Sequence, residues 1–135
     1  MRDSGKLYTL LNEVAADGAG AKPLYVADFR TAILEVVMTA FTGTVKLAGG
    51  IGDSAPAIGT AQSLANPWDT IEMVDLEDGA NIDGDAGLVG AATTDVRLFE
   101  VNVNGLQYLN AIVSNYSGAG TLTIRVRLYG GEGRT

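Results

Sequence analysis

The amino-acid sequence predicts an all-β fold, an antiparallel, jelly-roll-like β-sandwich of about eight strands. Three observations point there. The stretch Thr121–Tyr129 alternates without a break, with Leu122, Ile124, Val126 and Leu128 on one face and Thr121, Thr123, Arg125, Arg127 and Tyr129 on the other. Successive side chains of a strand point to opposite faces, so one row is buried and the other is left to solvent or to a partner. The 18 glycines, against three prolines, fall between apolar runs with no fixed short period, as strand punctuation does. The apolar runs are themselves short and rich in β-branched residues.

Taken in order, Lys6–Ala15 opens the chain as an apolar stretch. Leu7, Leu10, Leu11 and Val14 also fit a helical stripe there, and extended structure is favoured. Asp17-Gly18-Ala19-Gly20 breaks it, and Leu24–Phe29 resumes as a short strand. Ala32–Phe41 and Thr44–Leu47 read as two strands of a hairpin turning at Thr42-Gly43. The interval from Gly49 to Pro67 is a loop-rich insertion, long for a compact domain and more often a functional arm than an idle connection. Trp68–Leu76 is the next strand, and Asp75–Gly87 is rich in turns. Val96–Val103, Leu106–Tyr116 and Thr121–Tyr129 complete the set. Phe41-Thr42-Gly43-Thr44 and Tyr116-Ser117-Gly118 both place an aromatic, a hydroxyl residue and a glycine before an alternating strand. Either a duplication or reuse of the same turn chemistry accounts for that echo.

The 135 residues form one domain, 1–135, able to bury roughly 65–70% of its unfolded surface without a disulfide or metal staple. Cysteine is absent, which excludes thiol and CxxC zinc chemistry; histidine is absent, which excludes an imidazole base, ligand or pH switch. A net charge of −7 argues against a nucleic-acid partner, since phosphate readers cluster Lys and Arg. Met1-Arg2-Asp3-Ser4-Gly5-Lys6 leads into too short an apolar segment for a secretory signal, and no run of about 20 apolar residues could span a bilayer. A soluble protein made in a cytoplasm, with no membrane partner, is expected.

The densest polar segment holds Asp69, Glu72, Asp75, Glu77, Asp78, Asp83 and Asp85 with no Lys or Arg among them. Asn81-Ile82-Asp83-Gly84-Asp85 starts like a calcium loop and makes Asp83 and Asp85 the positions to examine for a cation. The pattern then departs, with Ala86 at the sixth position and Ala92 at the twelfth, where glycine and a bidentate glutamate belong. A solvated, turn-forming loop is the expected state, with no cofactor. Catalysis is not expected. Among 16 acids some pair always looks suited to glycoside hydrolysis, and the chain has no Gly-x-Ser-x-Gly elbow, no S-x-x-K pattern and no phosphate-binding loop. Trp68, beside Pro67, is the aromatic best placed to face a ligand, although a lone tryptophan more often packs in a core.

Several segments together resemble small β-sandwich structural proteins of tailed bacteriophages, the head decoration and appendage proteins. They are Thr9-Leu10-Leu11-Asn12-Glu13-Val14 with Gly18-Ala19-Gly20, then Phe41-Thr42-Gly43-Thr44-Val45-Lys46-Leu47, then Leu106-Gln107-Tyr108-Leu109-Asn110-Ala111. Tyr116-Ser117-Gly118 and Thr121-Leu122-Thr123-Ile124 close the match. The interval Gly49–Asp95, which contains Trp68-Asp69-Thr70, departs from the shortest members. The resemblance implies a virion structural role, with copies clustered around a symmetry axis.

The expected function is therefore capsid decoration or cementing on the major capsid protein, by a homo-oligomer with a trimer as first choice. A phage-surface glycan-binding module and a tail or head-fibre component are the alternatives. Arg125, Arg127 and Tyr129, with Trp68, are the expected interface residues. Arg125 and Arg127 share a face and can pair with a neighbour's carboxylates or with this chain's own acids, Glu100 among them.

Overall fold

The computed structural model describes residues 5–130, and among them there is no helix. Ten strands pair antiparallel in one continuous hydrogen-bonded network. They are β1 (Leu7–Val14), β2 (Gly18–Ala19), β3 (Leu24–Tyr25), β4 (Thr31–Gly50) and β5 (Asp69–Ile71). β6 (Met73–Asp75), β7 (Asn81–Ile82), β8 (Leu88–Asn102), β9 (Tyr108–Ser117) and β10 (Thr121–Tyr129) follow.

β4 organises the network. Its 20 residues are about twice the upper length of an ordinary strand, so it must bend to stay against one core. Its first half lies between β10 and the latter part of β8, with Arg125 opposite Glu35 and Glu35 opposite Leu98. Its second half lies between β9 and, on the other side, the start of β8 followed by β5. The first sheet therefore runs β1-β10-β4-β8-β6-β7, and the second places β2 and β3 beside β9, then β4 with β8 and β5. The inner rows of both sheets, including Leu34, Val36 and Ile124 from one and Leu47, Leu109 and Val113 from the other, form a single buried apolar core. This is the sandwich-like all-β fold that the alternation predicts.

The bend follows from an exchange of parity. On β4 the buried residues of the inward row are Ala32, Leu34, Val36 and Met38, then Phe41, Gly43, Val45 and Leu47. Between the two rows Ala40 sits at φ 47°, in the left-handed region. On β8, Leu88 and Gly90 face inward before Ala92 at φ 51°, and Phe99 and Val101 face inward after it. A bulge adds one residue and turns the strand; without it a one-residue slip would send the apolar row outward.

The two bulges hold each other. Ala40 N–H donates to Thr94 Oγ1 at 2.9 Å, and Ala92 N–H donates to Thr42 Oγ1 at 2.9 Å. Phe41, fully buried, fills the corner over the paired Gly43 and Gly90. A Cβ on either glycine would come within 2.8 Å of the ring.

This corner corrects the predicted hairpin at Thr42-Gly43. Gly43 has no positive φ and the strand continues through it without reversing, because the glycine is needed for space under Phe41 and not for a turn. The turn chemistry lies instead between β9 and β10, where Gly118 adopts φ 82°. The two glycine motifs thus do different work, and the echo does not mark a repeated hairpin.

Other boundaries move as well. Of the strand predicted at Leu24–Phe29 only Leu24–Tyr25 pairs, since Phe29 N–H closes a turn on Val26 O at 3.0 Å. The strand predicted at Trp68–Leu76 is two strands, β5 and β6, broken at Glu72. Each joins a different neighbour, β4 for β5 and β8 for β6. The strand predicted at Val96–Val103 starts earlier, at Leu88. The predicted loop begins past Gly50, because Gly49 and Gly50 still pair with Leu109 and Tyr108.

Candidate functional site

The row of side chains opposite the core defines the outer face of the first sheet. Residues paired across antiparallel strands share a face, so the register reads this surface directly. One line runs Thr9, Arg125, Glu35, Leu98; the next runs Leu7, Arg127, Ile33, Glu100, Val74; a third runs Thr123, Val37, Val96. Leu7, Leu76, Val96, Leu98 and Tyr129 are all exposed here, although each is a large apolar or aromatic side chain. A shallow depression of about 220 Å³ lies among Leu7, Ile33, Glu35, Leu98, Arg125 and Arg127. At one end the surface deepens into an open groove of about 600 Å³ whose walls include Arg30, Glu72, Val74 and Glu100.

The arginines are held within this face. Arg125 donates from Nε at 2.7 Å and from a terminal nitrogen at 2.5 Å to the same oxygen, Glu35 Oε1. Its partner is thus the directly opposite Glu35, and not Glu100. With side chains 42% and 30% exposed, the pair contributes at most about 1 kcal/mol to folding. Arg127 reaches across to the segment that leads into β1 and donates to the Gly5 carbonyl. Tyr129 packs beside Gly5, at the end of the row.

A second ion pair marks the rim. Asp75 is buried, accepts from Glu77 N–H at 2.9 Å and pairs with Arg97. The hydrogen bond from the Glu77 amide, then the Arg97 guanidinium, hold its carboxyl below the usual range. The same pairing raises Arg97, which also lies over the Phe99 ring at 5.7 Å.

Trp68 is elsewhere. It precedes β5 and lines a cleft of about 270 Å³ on the outer side of the second sheet, together with Lys46, Gln62, Asp69 and Asp85. It is part-buried and lies outside the apolar core. The structure thus groups Arg125, Arg127 and Tyr129 on one face and separates Trp68 from them.

Asp83 and Asp85 have local employment. Asp83 Oδ2 accepts from Ala86 N–H at 3.0 Å within its turn, and Asp85 Oδ1 accepts from Thr70 Oγ1 at 2.5 Å. Among the described residues no three acidic groups converge as a metal site would need. Reasoning from sequence did not single out Leu76, Val96 and Leu98. The signal was present: in Val96-Arg97-Leu98-Phe99-Glu100-Val101 the row opposite Phe99 and Val101 is itself apolar, which a face left to water does not require.

The fold has relatives among solved structures. The SPBc2 prophage-derived protein YomS matches with a TM-score of 0.59 and 12% identity, over 90% of this chain and 90% of that one. The PBSX exported protein XepA matches with a TM-score of 0.62 and 18% identity, over 95% of this chain and 39% of that one. This chain therefore spans well under half of XepA. No protein-family model matches the sequence, and no curated protein matches it.

Proposed function

We propose that this chain is a structural protein of a phage particle, which assembles through the outer face of its first sheet. The observation that carries the reading is the exposure of Leu76, Val96, Leu98 and Tyr129 together on one sheet face that also holds Arg125 and Arg127. Stable interfaces combine an apolar centre with a polar rim and are enriched in Tyr and Arg, whereas apolar patches on lone proteins are usually small. The prophage setting of YomS and XepA supports a phage context for a fold of this kind.

Within that reading the finer role is capsid decoration. Copies associate with one another, three being the first choice, and the assembly caps a shell formed by the major capsid protein. The work is contact and cementing, with no reaction. A closed ring of identical copies would bury the same patch on each one.

The test is to purify particles made by a phage that encodes the chain and to count copies per particle by quantitative mass spectrometry. A fixed, stoichiometric number is expected. Arg125→Ser with Arg127→Ser should lower occupancy several-fold while the free protein keeps its melting temperature. Absence of the chain from particles would overturn the virion role; unchanged occupancy of the double variant would overturn the contact role of the arginines.

A further inference from the structure

We infer that the Trp68 cleft binds an uncharged saccharide. It lies on the opposite side of the sandwich from the proposed contact face, so a protein seated through the first sheet would leave it open. Its floor consists of outward residues of paired strands, Lys46 opposite Ile112 and, one step along, Ser114. The long loop supplies Thr60, Gln62 and Trp68 as one wall, and Asp85 stands beside Thr70 of β5.

The chemistry of this lining selects the ligand class. A volume of about 270 Å³ falls just below the usual range of ligand sites, about 300 to 1,000 Å³, and suits one or two sugar rings. An indole offers an electron-rich face on which the C–H face of a pyranose can rest. Around it stand hydroxyl and charged side chains that serve vicinal sugar hydroxyls as donors and acceptors. Asp69 and Asp85 each commit one oxygen, Oδ1, to Thr70, to its N–H at 2.8 Å and its hydroxyl at 2.5 Å; in each the second oxygen makes no hydrogen bond among the described residues.

Charge narrows the class further. Two carboxylates face one ammonium, Lys46, so a phosphate or carboxylate ligand would be repelled. The cleft is also stiffened from within. Gln62 Nε2 donates to the Trp68 carbonyl at 2.5 Å, and the Asn66 amide ties Ala57, Thr60 and Ala61 into the same loop. Trp68 Nε1 is buried and has no acceptor among the described residues, a cost that folds seldom carry without a further partner.

Trp68 is the sole tryptophan, so emission reports on this cleft alone. The experiment titrates the full chain with cellobiose and with chitobiose, using glycerol 3-phosphate as the anionic arm, and repeats each titration by calorimetry. At least one disaccharide is expected to give a saturable emission change, and glycerol 3-phosphate none. Trp68→Ala should abolish the calorimetric signal, and Asp85→Asn should weaken the affinity about tenfold. Lys46→Met, on the cleft floor, serves as the second variant should Asp85→Asn lower the melting temperature. Three results would each overturn the inference: no saturable response to either disaccharide, a response to glycerol 3-phosphate alone, or undiminished binding in the variants.

Discussion

The two sheets share β4 and β8, and the outer faces of those strands are covered differently in each. In the first sheet, β4 and β8 turn Ile33, Val37, Val96 and Leu98 outward; the first two are part-buried and the last two exposed. In the second sheet the outward residues Ala48 and Asn110 are fully buried, because the neighbouring segments fold over them. Asn110 Nδ2 donates to Gly20 O at 2.8 Å, and a Cβ on Gly20 would meet Asn110. β4 therefore carries an exterior that the chain leaves open at one end and, around Ala48, an exterior that the chain covers itself. Strand alternation specifies which residues face out; it does not specify what covers them.

The comparison rests first on the corner that joins the sheets. Phe41→Ala should lose about 3–5 kcal/mol by chemical denaturation, since the ring is fully buried over Gly43 and Gly90 and its removal leaves a cavity at the bend. A smaller effect is expected on the covered face. Asn110→Ala should cost about 1–3 kcal/mol, because the Gly20 carbonyl would lose its buried partner. A cost near zero would mean that Gly20 does not close over the second sheet. Next comes Thr42→Val, expected to cost about 1 kcal/mol by freeing the Ala92 amide. Thr42→Val combined with Thr94→Val should cost more than either change alone, since the two bulges support each other.

The rim pair gives an effect that is full at neutral pH and fades in acid. Asp75 titrates below its ordinary value of 3.8 in the folded chain, so the unfolded state takes up the proton first. Its contribution is complete above that ordinary value and is lost as pH falls through the lower, folded one. Asp75→Asn should therefore flatten the decline of melting temperature below about pH 4 and be least like the parent at neutral pH. The smallest effect on folding belongs to the uncovered face. Arg125→Ser should change stability by at most about 1 kcal/mol, because its partner Glu35 is also partly solvated.

Much of this organisation was legible in the residues. Thr121–Tyr129 is read to the residue, because a central strand packed on one side must alternate. The corner was not. Gly43 and Gly118 are the same residue in similar surroundings, and only the buried ring of Phe41 distinguishes spacing from turning. Nor do Ala40 and Ala92 announce left-handed backbone; their threonine partners lie about 50 residues away in sequence, Thr94 for one and Thr42 for the other. At the candidate site the arginine row could be read from period two, whereas its apolar companions come from β1, β6 and β8. They join it only through register. Trp68 illustrates the converse: a lone tryptophan favoured a core position, with a ligand-facing ring as the alternative, and its place outside the core depends on how the loop folds back.

β8 carries a matched pair of residues that test the proposed contact face of the first sheet. Val96, 58% exposed, lies on that face, and Val89, 67% exposed, lies on the outer side of the second sheet. Sedimentation velocity over a concentration series, run on Val96→Glu and Val89→Glu beside the parent chain, separates the two. The parent and Val89→Glu should associate alike while Val96→Glu remains monomeric with an unchanged melting temperature. Association of Val96→Glu at parental strength, or its loss in Val89→Glu alone, would rule out the first sheet's outer face as the contact surface.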